Sequence, residues 1–145
     1  MLRKILFPTD FSEASVRVKD KLKKMSDCGI GKVVMIHIMD ERKLAFSEYI
    51  DSFSFGSFKL EKTLKIKFQM KLDEWKIEME KAGLKVTTDV VTGTPFTTIL
   101  DYAKEEKMTS IFLGHKGHDK KTEGIMLGST AEKIARKSDI TVVLI

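Results

Sequence analysis

The stretch from Leu113 to Thr130 reads Leu-Gly-His-Lys-Gly-His-Asp-Lys-Lys-Thr-Glu-Gly-Ile-Met-Leu-Gly-Ser-Thr and holds the residue types best suited to chemistry. It follows a short apolar run, Ser110 to Leu113, and leads into a helical pattern beginning near Ser129. A strand, a glycine-bearing loop and a helix start together make an anion site. Glycines let the backbone approach a phosphate closely, and the first N–H groups of a helix have no partner within it. Lys116, Lys120 and Lys121 add positive charge. The pattern predicts a phosphate cradle for a nucleotide. It is not the Walker-type loop, because no Gly-Lys-Ser/Thr triplet ends it, and it lacks G-x-G-x-x-G. A plainer reading fits the same residues: Ser129 and Glu132 have the spacing of a capping box, and Gly114 and Gly117 could simply turn the chain.

Whatever the loop holds must be positioned by the remaining chain. Its 145 residues suit one domain, residues 1–145, with room for a substantial core. With 42% hydrophobic and 32% charged residues and only two prolines, the composition is globular rather than disordered. The net charge of +5 and a pI of about 9.2 favour polyanions. The lysines, however, are spread along the predicted helices with no block of interleaved aromatics. That points to solvated faces and argues against a nucleic-acid binder. Cys28 is the sole cysteine, which excludes an intramolecular disulfide and fits a reducing compartment. The apolar run at the N-terminus is too short for a signal peptide, and no stretch approaches the ~20 apolar residues that cross a bilayer. The expected location is the cytoplasm.

Lys4 to Phe7, followed by Pro8-Thr9-Asp10, predicts a buried strand ending in a turn. Ala14, Val18, Leu22 and Met25 then mark one face of a helix, with Asp10 or Ser12 available as its cap. Lys32 to Met39 reads as a second buried strand, in which His37 is expected as a core residue, because no second metal ligand has suitable spacing. Asp40 to Ser57 reads as an irregular connection bearing Phe46, Tyr49, Phe53 and Phe55, with Phe58 just beyond; it could cover a sheet edge, close over a ligand or meet a partner. Alternation of Leu64, Ile66, Phe68, Met70 and Leu72 suggests a strand, but Leu60, Leu64, Phe68, Leu72, Trp75 and Met79 form a continuous helical stripe. Length and composition favour a helix from Phe58 to Ala82, with Ile66, Met70 and Ile77 widening its buried face.

Leu84 to Thr92 predicts a third strand, and Gly93-Thr94-Pro95 a turn, cap and first helical residue. Phe96, Ile99, Leu100 and Ala103 form the apolar face of the next helix, and Ser110 to Leu113 a fourth strand. Ala131, Ile134 and Ala135 mark a last helix, before a fifth strand, Ile140 to Ile145. This alternation predicts an α/β fold with a doubly wound, five-stranded parallel sheet and helices on both faces. Ligands of such folds sit beyond the carboxyl ends of the strands, here Pro8-Thr9-Asp10, Ile38-Met39-Asp40 and Gly114 to Gly117.

Five short segments, in this order, carry a family resemblance: Ile5 to Ser12, Ile36 to Asp40, Gly93 to Pro95, Gly114 to Gly117 and Gly128 to Ile134. Across nearly its whole length the chain resembles the universal stress proteins, and in particular their ATP-binding branch. The resemblance implies strand order 3-2-1-4-5 and a homodimer paired through the last strand, Ile140 to Ile145. It also implies that Gly114, Gly117, Gly128 and Ser129 hold phosphates and ribose, with Thr130 adjacent. Asp10, flanked by Pro8 and Thr9, would contact the ribose or adenine end, and Ile38 would offer backbone groups to adenine. Ten residues, 118 to 127, separate Gly117 from Gly128, one more than the family spacing of nine.

The function implied is an ATP-binding stress-response module, regulatory, with at most weak ATPase activity. Asp10 is committed to binding, and His115 or His118 reads as a phosphate contact or surface residue rather than a base. Mg or Mn has a place beside the phosphates, although no acidic cluster specifies a protein metal site. The competing reading is a dimeric interaction protein of the same fold that binds no nucleotide and meets a protein client through the aromatic connection.

Overall fold

A computed structural model describes residues 1–51, 57–119 and 124–145, and side chains other than those of 47–59 and 117–126. Its main sheet contains β1 (Lys4–Pro8), β2 (Lys32–Asp40), β3 (Val86–Gly93), β4 (Ser110–Leu113) and β7 (Thr141–Leu144). All pairings in it are parallel, in the order β3-β2-β1-β4-β7. This is the 3-2-1-4-5 order, counting only strands of the main sheet. The helices are α1 (Glu13–Lys24), α2 (Glu41–Asp51), α3 (Ser57–Lys81), α4 (Pro95–Glu105) and α5 (Ser129–Lys137). A separate antiparallel ribbon joins β5 (Gly117–Asp119) to β6 (Gly124–Met126).

Alternate residues of the central strands supply the two cores, as the period of two requires. Ile5, Phe7, Val33 and Met35 pack with Val18 and Leu22 of α1 and Leu72 and Met79 of α3. On the opposite face Leu6, Val34 and Ile36 pack with Ile99 of α4 and Ala131 and Ile134 of α5. Strand β1 therefore feeds α1 on one face, while its neighbour β4 leads to α5 on the other. The chain leaves these adjacent strands in opposite directions, which opens a crevice at their carboxyl ends.

Three expectations need correction. Residues Glu41–Asp51 are helical, not irregular; Phe46 is 66% exposed, whereas the side chains of Tyr49, Phe53, Phe55 and Phe58 lie outside the described residues. Helix α3 forms as predicted, but Ile66, Met70 and Ile77 do not widen its buried face. They are 55%, 62% and 55% exposed, because two helical positions span about 200° and carry Ile66 away from Leu64. The N-cap of α5 is Gly128 rather than Ser129, so the capping box does not form; Glu132 instead pairs with Arg136 at 2.9 Å.

Candidate functional site

The first wall of the crevice is the turn after β1. Thr9 accepts a hydrogen bond from the Phe11 amide at its Oγ1, 3.0 Å away, and Asp10 Oδ1 accepts from the Ser12 amide at 3.0 Å and the Ser15 hydroxyl at 2.9 Å. Ser12 caps α1 by accepting from the Ser15 amide. Tying the side chains of Thr9, Asp10 and Ser12 to nearby backbone bends the chain so tightly that Phe11 adopts φ +62°, a left-handed conformation unfavourable for a bulky residue. Its ring is repaid with neighbours: His37 at 5.1 Å and Trp75 at 5.2 Å. Both bonds to Asp10 end on Oδ1, and no described residue bonds to Oδ2.

Burial works to raise the Asp10 carboxyl pKa, but the Ser12 side chain and amide and the Ser15 hydroxyl together outweigh it, so the group lies below the ordinary carboxylate range. It is an anion at neutral pH. His37 shows the opposite balance. Burial pushes its pKa down, against support from the Thr9 carbonyl and Asp10, and nearby Lys71 adds to the depression. The neutral ring places Nδ1 2.8 Å from the Thr9 carbonyl oxygen, which can only accept, so Nδ1 carries the proton. His37 is the core histidine expected from the sequence, and it braces the turn that presents Asp10.

The second wall is the exit of β4 and the start of α5. Gly114 sits so close to α1 that a Cβ there would lie 2.5 Å from the Ala14 carbonyl oxygen. Its glycine is required by packing between β4 and α1. Gly128 is different: a Cβ would meet only the Lys116 side chain, at 3.4 Å. Gly128, Ser129, Thr130 and Ala131, the N-cap and first turn of α5, line the crevice, so the positive end of that helix lies at its wall. Lys116 lies alongside, and Arg17 donates to the His115 carbonyl at the same end. Gly117 pairs with Met126 at the base of the β5–β6 ribbon, so the long spacer is closed off close to Gly128. Lys120 and Lys121 lie outside the described residues, as does the side chain of His118.

The floor is the end of β2. Ile36 turns its carbonyl toward β1, where the Thr9 amide donates to it at 2.8 Å. Two residues on, Ile38 presents its N–H and C=O along the same edge, past the end of β1. Asp40 is held by Arg42, whose guanidinium lies 3.0 Å away and draws the carboxyl pKa down.

The cavity enclosed measures about 1010 Å³. It is lined by Pro8, Thr9, Asp10, Ile38, Gly114, Gly128, Ser129 and Thr130, eight of the nine residues singled out from the sequence. The surroundings of the ninth, Gly117, lie outside the described residues. Also in the lining are Arg17, Arg42, Lys43, Leu44, Leu64 and Phe68. Phe68 and Leu64 were legible as part of the α3 stripe, but nothing local in the sequence says that its upper end overhangs the crevice. Among the described residues, no three His, Cys, Asp or Glu side chains converge on a point that could hold a metal.

This architecture recurs in known proteins. The profile of the universal stress protein family matches residues 1–145. Universal stress protein MJ0577 of Methanocaldococcus jannaschii is 31% identical over 156 residues, covering 100% of this chain and 95% of that protein. A solved structure of MJ0577 superposes with a TM-score of 0.80 at 30% identity, covering 100% and 96% of the two chains. The hypothetical protein PH0823 superposes with a TM-score of 0.79 at 31% identity, again covering 100% and 96%. A universal stress protein solved in complex with cAMP shares the fold, with a TM-score of 0.69 at 17% identity over 99% and 96%. Sequence and sheet order agree: the chain belongs to the universal stress protein family.

Proposed function

We propose that the crevice binds ATP and that the protein is a regulatory stress-response module with little or no hydrolysis. The observation that carries this reading is the facing pair of groups across one cavity: the open Oδ2 of Asp10 and the start of α5 at Gly128–Thr130. A carboxylate suits sugar hydroxyls, and a helix N-terminus suits phosphate oxygens. Lys116 would neutralise phosphate charge, and Ile38 would offer its backbone to the adenine edge. The volume accommodates a nucleotide, whose phosphates would bring Mg or Mn with them. Pairing of Gly117 with Met126 brings the two ends of the longer spacer together close to Gly128, which supports a cradle that tolerates it. The relative solved with cAMP speaks only to the fold at its level of identity.

Hydrolysis requires a base aimed at the terminal phosphate. Asp10 is assigned to the sugar, Asp40 is held by Arg42, and the His37 ring is buried between Phe11 and Phe68 with its Nδ1–H directed at the Thr9 carbonyl oxygen. The module would act as a cytoplasmic homodimer joined at the free edge of β7, where Leu144 is 38% exposed. The test is to incubate the protein with magnesium and ATP, separate it from free nucleotide, and assay both bound ATP and released phosphate. Retained ATP with phosphate release at the buffer background is expected. Sustained release that disappears in Asp10→Ala would replace the regulatory reading with an ATPase.

A further inference from the structure

Helix α3 presents an apolar stripe to the outside. Ile66, Met70 and Ile77 are separated by four and seven positions, which at 100° per residue keeps them on one line about 16 Å long. Asp73 lies on that line too, and the spacing 66-70-73-77 is the four-three-four rhythm of a helix-pairing seam. The far side of the same helix is occupied: Leu72 and Met79 are fully buried, with Leu64, Phe68 and Trp75 packed beside them. The stripe is therefore surplus to this chain's own core.

We propose that this face docks on a second copy of the chain, with the two α3 helices antiparallel across a twofold axis. Twofold symmetry demands that if one residue meets another, the second also meets the first. The α3 seam satisfies this when the axis passes between Met70 and Asp73. Ile66 then lies opposite Ile77 of the second copy, and Met70 opposite its Asp73. The flanking positions agree in charge. Lys67, exposed, falls beside the exposed Glu74 of the second copy, and the symmetry repeats the pair. Gln69 falls beside Lys76 in the same way. A parallel arrangement would instead set Lys67 beside Lys62 of the second copy, like charges, and leave Glu74 beside Gln69. Charge thus selects the antiparallel second copy.

The length of the seam bounds its strength. Three apolar side chains per copy bury less than the ~1,000 Å² of a stable complex, so the contact is a weak one. It gains weight where the chain is already paired through another surface, since the second contact is then favoured by high local concentration. The inference does not depend on nucleotide.

Two measurements test it. In a Cys28→Ser background, Ile66→Cys with Ile77→Cys should yield on mild oxidation a covalent dimer whose linked peptides are 66 to 77. These positions are too far apart on one helix, about 16 Å, to link within a chain. Linkage of 66 to 66 and 77 to 77, or none above that of the Cys28→Ser parent, overturns the antiparallel pairing. In sedimentation velocity across a range of protein concentrations, Lys67→Glu alone should weaken the concentration-dependent association about tenfold, two exposed attractions having become repulsions. Lys67→Glu with Glu74→Lys should restore it. Wild-type protein with no such association, or a double variant no better than the single, would contradict the proposal. Either result would leave the stripe to a different partner.

Discussion

At the scale of single residues, two glycines of one loop have separate duties. The missing Cβ of Gly114 makes room for the Ala14 carbonyl, a rigid backbone group at 2.5 Å, whereas that of Gly128 faces only the flexible end of Lys116 at 3.4 Å. Gly114→Ala should therefore destabilise the fold by about 1–3 kcal/mol, as overpacking does. Gly128→Ala should leave the urea midpoint nearly unchanged and show its effect on ligand binding. Equal loss of stability in both would contradict the division. The glycines were evident from sequence as a group, but their separate roles were not. The distinction lies in what α1 places against β4, some hundred residues distant in the chain.

His37 supplies a second residue-scale prediction, of pH dependence. Its native pKa is depressed below the ordinary value, mainly by burial. Between that depressed pKa and about 6.5 the unfolded chain binds more protons than the native one, so stability falls as pH is lowered through this window. Urea unfolding from pH 7 downward should show that decline, and His37→Gln should flatten it. An unchanged slope in the variant would assign the effect elsewhere. Asp10 adds its own loss only at more acidic pH, because its carboxyl lies below the ordinary range.

Between elements, α1 is bound to α3 by an ion-pair cluster as well as by the apolar core. Lys19 and Lys23 each approach Glu78 at 2.7 Å, and the Lys19 ammonium also lies 4.7 Å from the centre of the Trp75 ring. Lys19 is almost buried, with 10% of its side chain exposed, so it depends on its partner more than Lys23 does. Glu78→Gln should destabilise by about 1–2 kcal/mol, a value reduced from that of a fully buried pair because Glu78 is 40% exposed. Lys23→Met should change stability by less than about 0.5 kcal/mol. Equal effects in a thermal or urea series would mean that burial of Lys19 is immaterial.

Legibility from sequence also varied by element. Strands β1, β2 and β4 and helix α3 were plain because each carries an apolar run between turn signals or, in α3, a long apolar stripe. Helix α2 was hidden: its residues Leu44 and Phe46 do not repeat at helical spacing, and among its described side chains only Leu44 is buried. Its contribution of Arg42, Lys43 and Leu44 to the cavity was hidden with it. The β5–β6 ribbon has strands of three residues, too short for any periodic signal. The outward stripe of α3 was visible as hydrophobicity but misplaced, since composition alone does not say which side of a helix meets the sheet.

For the whole molecule, the position of the crevice follows from topology. Adjacent strands β1 and β4 send their helices to opposite faces, and this separation sets Asp10 across from the start of α5. That much could be read from the alternation of elements together with the family resemblance. The central claim is that the crevice is a nucleotide site, and calorimetry with magnesium and ATP tests it most directly. Wild-type protein should bind, and Gly128→Val with Ser129→Val should not, because the valines obstruct close backbone approach and remove a hydroxyl. The variant's unfolding midpoint, measured alongside, separates lost binding from lost fold. Absence of binding to the wild type, or equal binding to a folded variant, would contradict the account.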